Sequence, residues 1–192
     1  IVLGVVNSFD VVFVPGYTGT NKLYGVQEIA ATSFGYAMTV YVGQNLGVAA
    51  YGRIRRGVRA GAAAGVLTSA VICAAMLLFG RQLLSGFITS QDPREAAQAL
   101  EYAMQFLRLM SVFLPILYIL HIVRSSLQGL GDTIYPMLSG LVELLMRVGA
   151  ALFLPALLGY EAVFVGEVLA WVGADVILLG RYWARSRRFP PD

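Results

Sequence analysis

The sequence predicts an all-α polytopic membrane protein, on the basis of its hydropathy, its charge content and the length of its apolar segments. Of the 192 residues, 58% are hydrophobic and 13% are charged, and the mean hydropathy is +0.71. Soluble domains contain about 25% charged residues, so a soluble globular fold is excluded. Intrinsic disorder is also excluded, because it requires low hydrophobicity and high charge. Apolar stretches of the roughly 20 residues that cross a bilayer recur along the chain, which indicates a bundle of transmembrane helices.

Six membrane-spanning segments are predicted. In chain order they are about residues 1–10, 13–47, 60–80, 102–126, 134–158 and 161–183. The first segment is short and begins at Ile1 without a charged leader, so we expect the C-terminal part of a longer chain, cut inside a helix. The start of the second segment stays open from local signals. It either begins at Leu23, after the turn-like residues 15–19, or begins near Val11 and runs through them.

Proline and glycine residues mark the expected breaks between helices. Asp92-Pro93 has the composition of a turn, with Pro at the start of a helix. The Gly-rich residues 129–132 and Gly159 separate the last three spans. Pro115 lies inside the fourth span, where it frees a backbone carbonyl and allows a bend.

Three glycines in the third segment indicate close helix packing. Gly57, Gly61 and Gly65 repeat at four-residue intervals. Small residues at this spacing allow two helices to approach closely. We therefore interpret the three glycines as structural.

Arginine clusters predict the orientation of the spans. Four arginines are expected in a short basic loop after the second span and four more follow the sixth: Arg53, Arg55, Arg56, Arg59, Arg181, Arg185, Arg187 and Arg188. Loops rich in Lys and Arg remain in the cytoplasm. The sequence thus predicts a multi-pass protein of the plasma (prokaryotic inner) membrane with a cytoplasmic C-terminus. The clusters are topology signals in this interpretation, and no nucleic-acid partner is expected.

Ionisable side chains inside the spans are the first functional candidates, because a charge within a bilayer is costly. Glu143 and Arg147 are four residues apart and share one helix face. They form either a structural ion pair or a charge relay beside a cavity. Glu167, Trp171 and Asp175 make a polar face of the sixth span. This face serves either helix–helix packing with an interface-anchoring Trp, or the attraction of organic cations through charge and cation–π interaction.

The second and fourth spans carry further polar candidates. Glu28 shares a stripe with Tyr36 on the second span, and Lys22 lies slightly earlier. Because burial disfavours the charged form of a lone carboxylate, Glu28 is either a proton-exchanging group or a hydrogen-bonded buried carboxyl. Tyr118 and His121 belong to a polar stripe on the fourth span. The histidine is either a packing residue or a proton carrier.

Signatures of enzymes and metal sites are lacking. The sequence contains no His-Glu-x-x-His, no Gly-x-Ser-x-Gly and no phosphate-cradling loop. Its single cysteine, Cys73, excludes a disulfide framework and a Cys-based zinc site. We expect neither catalysis, nor a metal site, nor an organic cofactor.

Several segments resemble the C-terminal half of the multidrug and toxic compound extrusion (MATE) family. These segments are residues 7–9, 16–18, 21–25, 41–47, 53–59, 124–133, 136–140 and 143–147. The most specific are Gly-Gln-Asn-Leu-Gly at 43–47 and Gln-Gly-Leu-Gly-Asp-Thr at 128–133, taken together. The sequence departs from the family pattern at Asp10, where Gly is usual, and at Pro15, where a small residue is usual.

The resemblance implies a fold and a function. Family members have twelve helices in two six-helix bundles related by a pseudo-two-fold axis along the membrane normal. This chain is similar to helices seven to twelve, with the seventh truncated and the N-terminal bundle absent. The resemblance implies that the second helix runs through Lys22. It also implies that the protein exports cationic or amphipathic compounds in exchange for protons or sodium ions. The expected partners are small organic cations, membrane lipid and the N-terminal bundle of the same polypeptide.

Two alternatives to antiport remain open from the sequence. A lipid-linked oligosaccharide flippase of the same superfamily requires a strongly cationic cavity for a pyrophosphate group. A membrane scaffold without transport activity requires that the charges within the spans all pair with one another, leaving no water-filled face.

Overall fold

A computed structural model of the protein describes residues 13–88 and 92–190. Within these ranges the chain is helical and contains no strand, so the all-α prediction is confirmed. The helices are α1 (Phe13–Gly47), α2 (Tyr51–Ser85), α3 (Pro93–Val112), α4 (Leu114–Gly129), α5 (Ile134–Phe153), α6 (Pro155–Leu158) and α7 (Glu161–Ser186). The first expected span, residues 1–10, lies outside the described residues and includes Asp10.

Helix α1 passes through the turn-like residues 15–19 without a break. Its start at Phe13 agrees with the longer of the two alternatives, and the alternative start at Leu23 is wrong. Pro15 is tolerated because it lies in the first turn, where a backbone N–H has no partner within the helix. Gly16 allows α1 to approach α3 closely, since a Cβ at this position would lie 2.5 Å from the carbonyl oxygen of Ala99.

Helix α2 is longer than the expected span of residues 60–80. It begins at Tyr51, so the arginines at 53–59 form its first turns, and the prediction of a basic loop there is wrong. Arginine is a good helix former, and residues 48–50 alone reverse the chain, with Ala49 at φ 54°. A helix of 35 residues is about 52 Å long. It exceeds a hydrocarbon core of about 30 Å, which leaves room for the charged turns at its end.

The fourth expected span consists of two helices. Helices α3 and α4 meet at Phe113 with a bend of 48°, and Pro115 lies in the first turn of α4. The bend predicted from this proline is therefore confirmed. The other end of α3 begins at Pro93, where the Asp92 carboxylate accepts a 2.8 Å hydrogen bond from the Arg94 N–H. This cap begins the helix nine residues before the expected span at 102.

Glycines end the helices at the expected breaks. Gly131, after α4, has φ 77°, and Gly159, after α6, has φ 57°; both lie in the left-handed region that favours glycine. The fifth expected span, 134–158, is interrupted before Pro155, so α5 ends at Phe153 and a single turn, α6, follows.

Helix α4 occupies the centre of the bundle. It packs against α1, α2, α5 and α7, while α5 and α7 form an extensive pair. The expected role of the three glycines in close packing is confirmed. A Cβ at Gly57 would lie 2.0 Å from the ring of Tyr41 in α1, and one at Gly65 would lie 2.6 Å from Ile122 in α4.

Three described helices have the length and hydropathy of membrane spans: Tyr51–Ser85, Ile134–Phe153 and Glu161–Ser186. Helices α3 and α4 add a fourth if the bent pair counts as one span. Helix α1 has the same length as α2 but more polar residues, and it does not meet the hydropathy criterion. The assignment of residues 13–47 as a membrane span therefore stays a prediction.

Candidate functional site

A chain of four alternating charges crosses three helices of the bundle. The guanidinium of Arg124 in α4 binds the Oε1 atom of Glu143 in α5. The other carboxylate oxygen of Glu143 lies 3.3 Å from Arg147, one turn later in the same helix. Arg147 in turn donates from Nε to Glu167 in α7 over 2.8 Å. We call Arg124, Glu143, Arg147 and Glu167 the charge chain.

At the middle of the charge chain, Glu143 is shielded by its neighbours. Glu143 is 7% exposed, and Arg124 also donates from Nε to the hydroxyl of Ser139 over 3.1 Å. A buried charge is tolerated only when its partners are close and its other hydrogen-bonding groups are satisfied. The predicted pairing of Glu143 with Arg147 is confirmed, and it forms one link of a longer arrangement.

A half-exposed carboxylate lies beside the charge chain. Glu28 of α1 has a side chain that is 41% exposed, and its Oε1 atom lies 3.9 Å from Nε2 of His121 in α4. Glu28 also interacts electrostatically with Arg147, Glu167 and Glu143. The structure thus brings together two candidates that the sequence placed on separate spans, at the face where α1 packs against α4.

A second carboxylate, Asp175 of α7, completes the acidic group. It is 7% exposed, and it interacts electrostatically with Arg124 and Glu143. Its Oδ1 atom is buried without a hydrogen-bond partner among the described residues. The four carboxylates of Glu28, Asp175 and the charge chain thus face two guanidinium groups. When all are ionised, the group has an excess of two negative charges, which favours binding of protons or other cations.

A small cavity adjoins the last link of the charge chain. It has a volume of about 10 Å³ and is lined by Arg147 and Glu167 together with Ala151, Ala162, Val163 and Gly166. A volume of this size accommodates about one water molecule. Polar atoms of the Arg147–Glu167 pair are therefore positioned to exchange hydrogen bonds with solvent.

Trp171 does not have either of the roles considered for it. It is fully buried, and its ring stacks on Tyr24 of α1 with centroids 5.9 Å apart and an interplanar angle of 18°. A membrane-interface anchor must reach the headgroup region, so that interpretation is wrong. The covered ring face also cannot receive a cation from a cavity. Only the helix-packing part of the prediction for this face is confirmed.

Three other candidates lie apart from the charge chain. Tyr36 is 75% exposed and lies about two helical turns after Glu28 in α1. Lys22 is exposed near the start of α1, with Nζ 5.8 Å from the centre of the Phe87 ring. Tyr118 is fully buried and packs near Phe34, with ring centroids 5.9 Å apart.

Arg124 is the site residue that the sequence analysis did not identify. It lies near the end of the fourth expected span, where basic residues commonly mark topology. A signal for it was its position inside the expected span at 102–126, because a charge within a span requires a partner.

The comparisons with known proteins identify the family. The family model MatE matches residues 1–152 of the chain, which includes every helix from α1 to nearly the end of α5. No curated protein matches the chain. The match covers most of the chain and agrees with the apolar helices of the structure, and the chain therefore belongs to the MatE family of integral membrane transporters.

Proposed function

We propose that the protein is a secondary antiporter that exports cationic or amphipathic compounds in exchange for protons or sodium ions. The observation that carries the proposal is Glu28. It is a half-exposed carboxylate, 3.9 Å from His121, beside a charge chain whose two carboxylates are largely buried.

The geometry supports competition between two cations. An ionised Glu28 adds to the excess negative charge around Arg147 and attracts an organic cation from the exposed side. Protonation of Glu28, or occupation by a sodium ion, removes that attraction. A ligand that binds one state more tightly than the other shifts the equilibrium between them, so exchange of the two cations couples ion entry to substrate release.

The charge chain provides a means of connecting Glu28 to the helices around it. Its members belong to α4, α5 and α7, and Glu28 belongs to α1. A change of charge at Glu28 alters the balance of attraction at Arg147. We propose that this change favours a different arrangement of α1 relative to α4 and α7 during transport.

The two alternatives receive less support from the same contacts. A flippase requires free cationic groups for a pyrophosphate, whereas the guanidiniums of Arg124 and Arg147 are bound by carboxylates. A passive scaffold requires complete pairing of the charges within the spans. Glu28 is 41% exposed, and Asp175 has an oxygen without a hydrogen-bond partner among the described residues.

The proposal extends to location and partners. Eight arginines lie at the end of the bundle that contains the start of α2 and the end of α7. By the positive-inside rule we place this end and the C-terminus in the cytoplasm of a prokaryotic cell. The expected partners are organic cations, lipid and an N-terminal bundle that would form the opposite wall of the cavity, with H⁺ or Na⁺ as the coupling ion and no organic cofactor.

The test is transport by the full-length protein with Glu28→Gln. In everted membrane vesicles we expect this variant to lose most pH- or sodium-dependent efflux of a fluorescent cation such as ethidium, because the amide cannot be ionised. Glu101→Gln is the matched control, since Glu101 is an exposed carboxylate paired with Arg81 at 3.1 Å. Efflux by the Glu28→Gln variant that equals the control and keeps its pH and sodium dependence would remove Glu28 from the mechanism.

A further inference from the structure

A basic groove lies where the first turns of α2 meet the last turns of α7. It is open to the surface, has a volume of about 360 Å³ and is lined by Arg55, Arg59, Tyr182, Trp183, Ser186 and Arg187. Three of the six lining residues are arginines and none is acidic. The groove lies about four helical turns beyond the charge chain along α7, since Glu167 and Tyr182 are separated by 15 residues.

Within residues 13–88 and 92–190, the arginines that line the groove have no acidic partner. No carboxylate of the described residues lies within ion-pair distance of Arg55, Arg59 or Arg187. Asp132, which follows α4 at this end of the bundle, is paired with Arg181 at 2.6 Å. The part of the groove that the structure describes therefore carries a positive charge that an anion can neutralise.

The groove is also held in shape by specific contacts. Arg55 donates two hydrogen bonds of 3.1 Å, to the carbonyl oxygens of Ser186 and Phe189, which fastens the end of α7 to α2. The guanidinium of Arg187 lies 3.6 Å from the centre of the Trp183 ring. Arg59 is exposed and lacks a side-chain partner among the described residues, so it is available to a ligand.

The position of the groove indicates the source of the anion. Helices α2 and α7 both have the length and hydropathy of membrane spans, and the groove lies where their apolar segments give way to arginines. Trp183 is 57% exposed at this level, as is typical of aromatic residues at the membrane–water interface. This position suits the phosphate of a lipid headgroup, because the acyl chains of such a lipid could extend along the apolar part of the same helices.

We propose that this groove binds the phosphodiester headgroup of an anionic phospholipid. Arg59 and Arg187 contact the phosphate, Trp183 packs beside the glycerol region, and Arg55 positions α7 without giving up its own hydrogen bonds. Basic pockets between transmembrane helices on the cytoplasmic side are suited to such headgroups. The bound lipid would join α2 to α7 at one end of the bundle.

The experiment measures lipid bound to the full-length protein by native mass spectrometry. The purified protein in detergent is titrated with phosphatidylglycerol, and separately with phosphatidylcholine, in the unmodified form and with Arg59→Gln and Arg187→Gln combined. Each basic residue near an anionic lipid contributes about 1 kcal/mol. We therefore expect the double variant to bind phosphatidylglycerol roughly tenfold or more weakly, with phosphatidylcholine bound weakly by both forms.

Two single variants and one soluble anion serve as controls. Arg53→Gln removes an exposed arginine from the same end of the bundle but outside the groove, and Arg94→Gln removes one from the other end. Both are expected to retain phosphatidylglycerol. The proposal is overturned if Arg53→Gln weakens binding as much as the double variant, if the double variant binds normally, or if inorganic phosphate displaces the lipid at equal concentration. Because lipid binding is measured without transport, this result is independent of the test of Glu28.

Discussion

At the scale of single residues, Arg124 connects the candidate site to the centre of the bundle. It extends from α4 to Glu143 and Ser139 of α5, and so continues the ion pair that Arg147 makes on the other side of Glu143. Removing one partner of a buried ion pair leaves the other charge without compensation, which is strongly destabilising. Arg124 is therefore a positioning residue for the charge chain as well as part of its charge balance.

We predict that Arg124→Gln lowers the free energy of unfolding by about 3–5 kcal/mol. The measurement is thermal or denaturant unfolding of the purified full-length protein in detergent. The Arg124→Gln/Glu143→Gln double variant is expected to recover part of the loss, because it removes the uncompensated carboxylate along with its partner. Equal destabilisation by the single and double variants would contradict the ion pair as the cause.

At the scale of elements, the contact of α2 with α1 and α4 depends on glycine. A Cβ at Gly57 would lie 2.0 Å from the Tyr41 ring, and one at Gly61 would lie 2.8 Å from the sulfur of Met38. Tyr41 is held in place by its hydroxyl, which donates a 3.0 Å hydrogen bond to the carbonyl oxygen of Arg53. The ring cannot move aside without losing this bond, so the helices must separate if a side chain is added.

We predict that Gly57→Leu destabilises the full-length protein by about 1–3 kcal/mol, the range observed for overpacked interiors. Gly140→Leu in α5 is the control, because a Cβ there has no atom within 4 Å. The two variants are compared by their unfolding temperatures in the same detergent. If Gly140→Leu is as destabilising as Gly57→Leu, the close approach of α2 to α1 is not the reason.

At the scale of the whole molecule, the two ends of the bundle differ in their content of arginine. The end formed by the start of α2 and the end of α7 is strongly basic, whereas the opposite end mixes Arg81 and Arg94 with Asp92 and Glu101. This asymmetry is the basis for the proposed orientation.

We predict that a cysteine introduced at Ser186, at the end of α7, reacts with a membrane-impermeant maleimide only after the cells are opened. A cysteine introduced at Ser85, at the end of α2, should react in intact cells. Cys73 is the single cysteine of this sequence, and it is replaced by Ser in both variants. Labelling of the Ser186 position in intact cells would reverse the proposed orientation.

The exposure of Glu28 leads to a second prediction at this scale. The N-terminal bundle proposed above would cover the face of α1 that carries the half-exposed Glu28 and the 75% exposed Tyr36. We therefore expect the 192-residue chain, produced alone, to self-associate or misfold in detergent. Size-exclusion chromatography with light scattering measures this. A monodisperse monomer at the mass of the single chain would contradict the expectation.

The sequence by itself determined the membrane class, the starts of α5 and α7, and the resemblance to the family that the MatE match confirms. These properties depend on hydropathy and on Pro and Gly signals, which act over a few residues. A short-range rule also predicted the Glu143–Arg147 pair, because side chains four residues apart lie on the same face of a helix. It could not identify Arg124 as a partner of Glu143, since 19 residues and a chain reversal separate them.

Only the tertiary structure decided which candidates meet. It placed Glu28 near His121, joined Arg147 to Glu167 across two helices and buried Trp171 against Tyr24, while Tyr36 remained exposed. The physical reason is that helix rotation and packing determine which face of each helix meets its neighbours. A polar stripe indicates that a face needs partners, but the partners come from other helices.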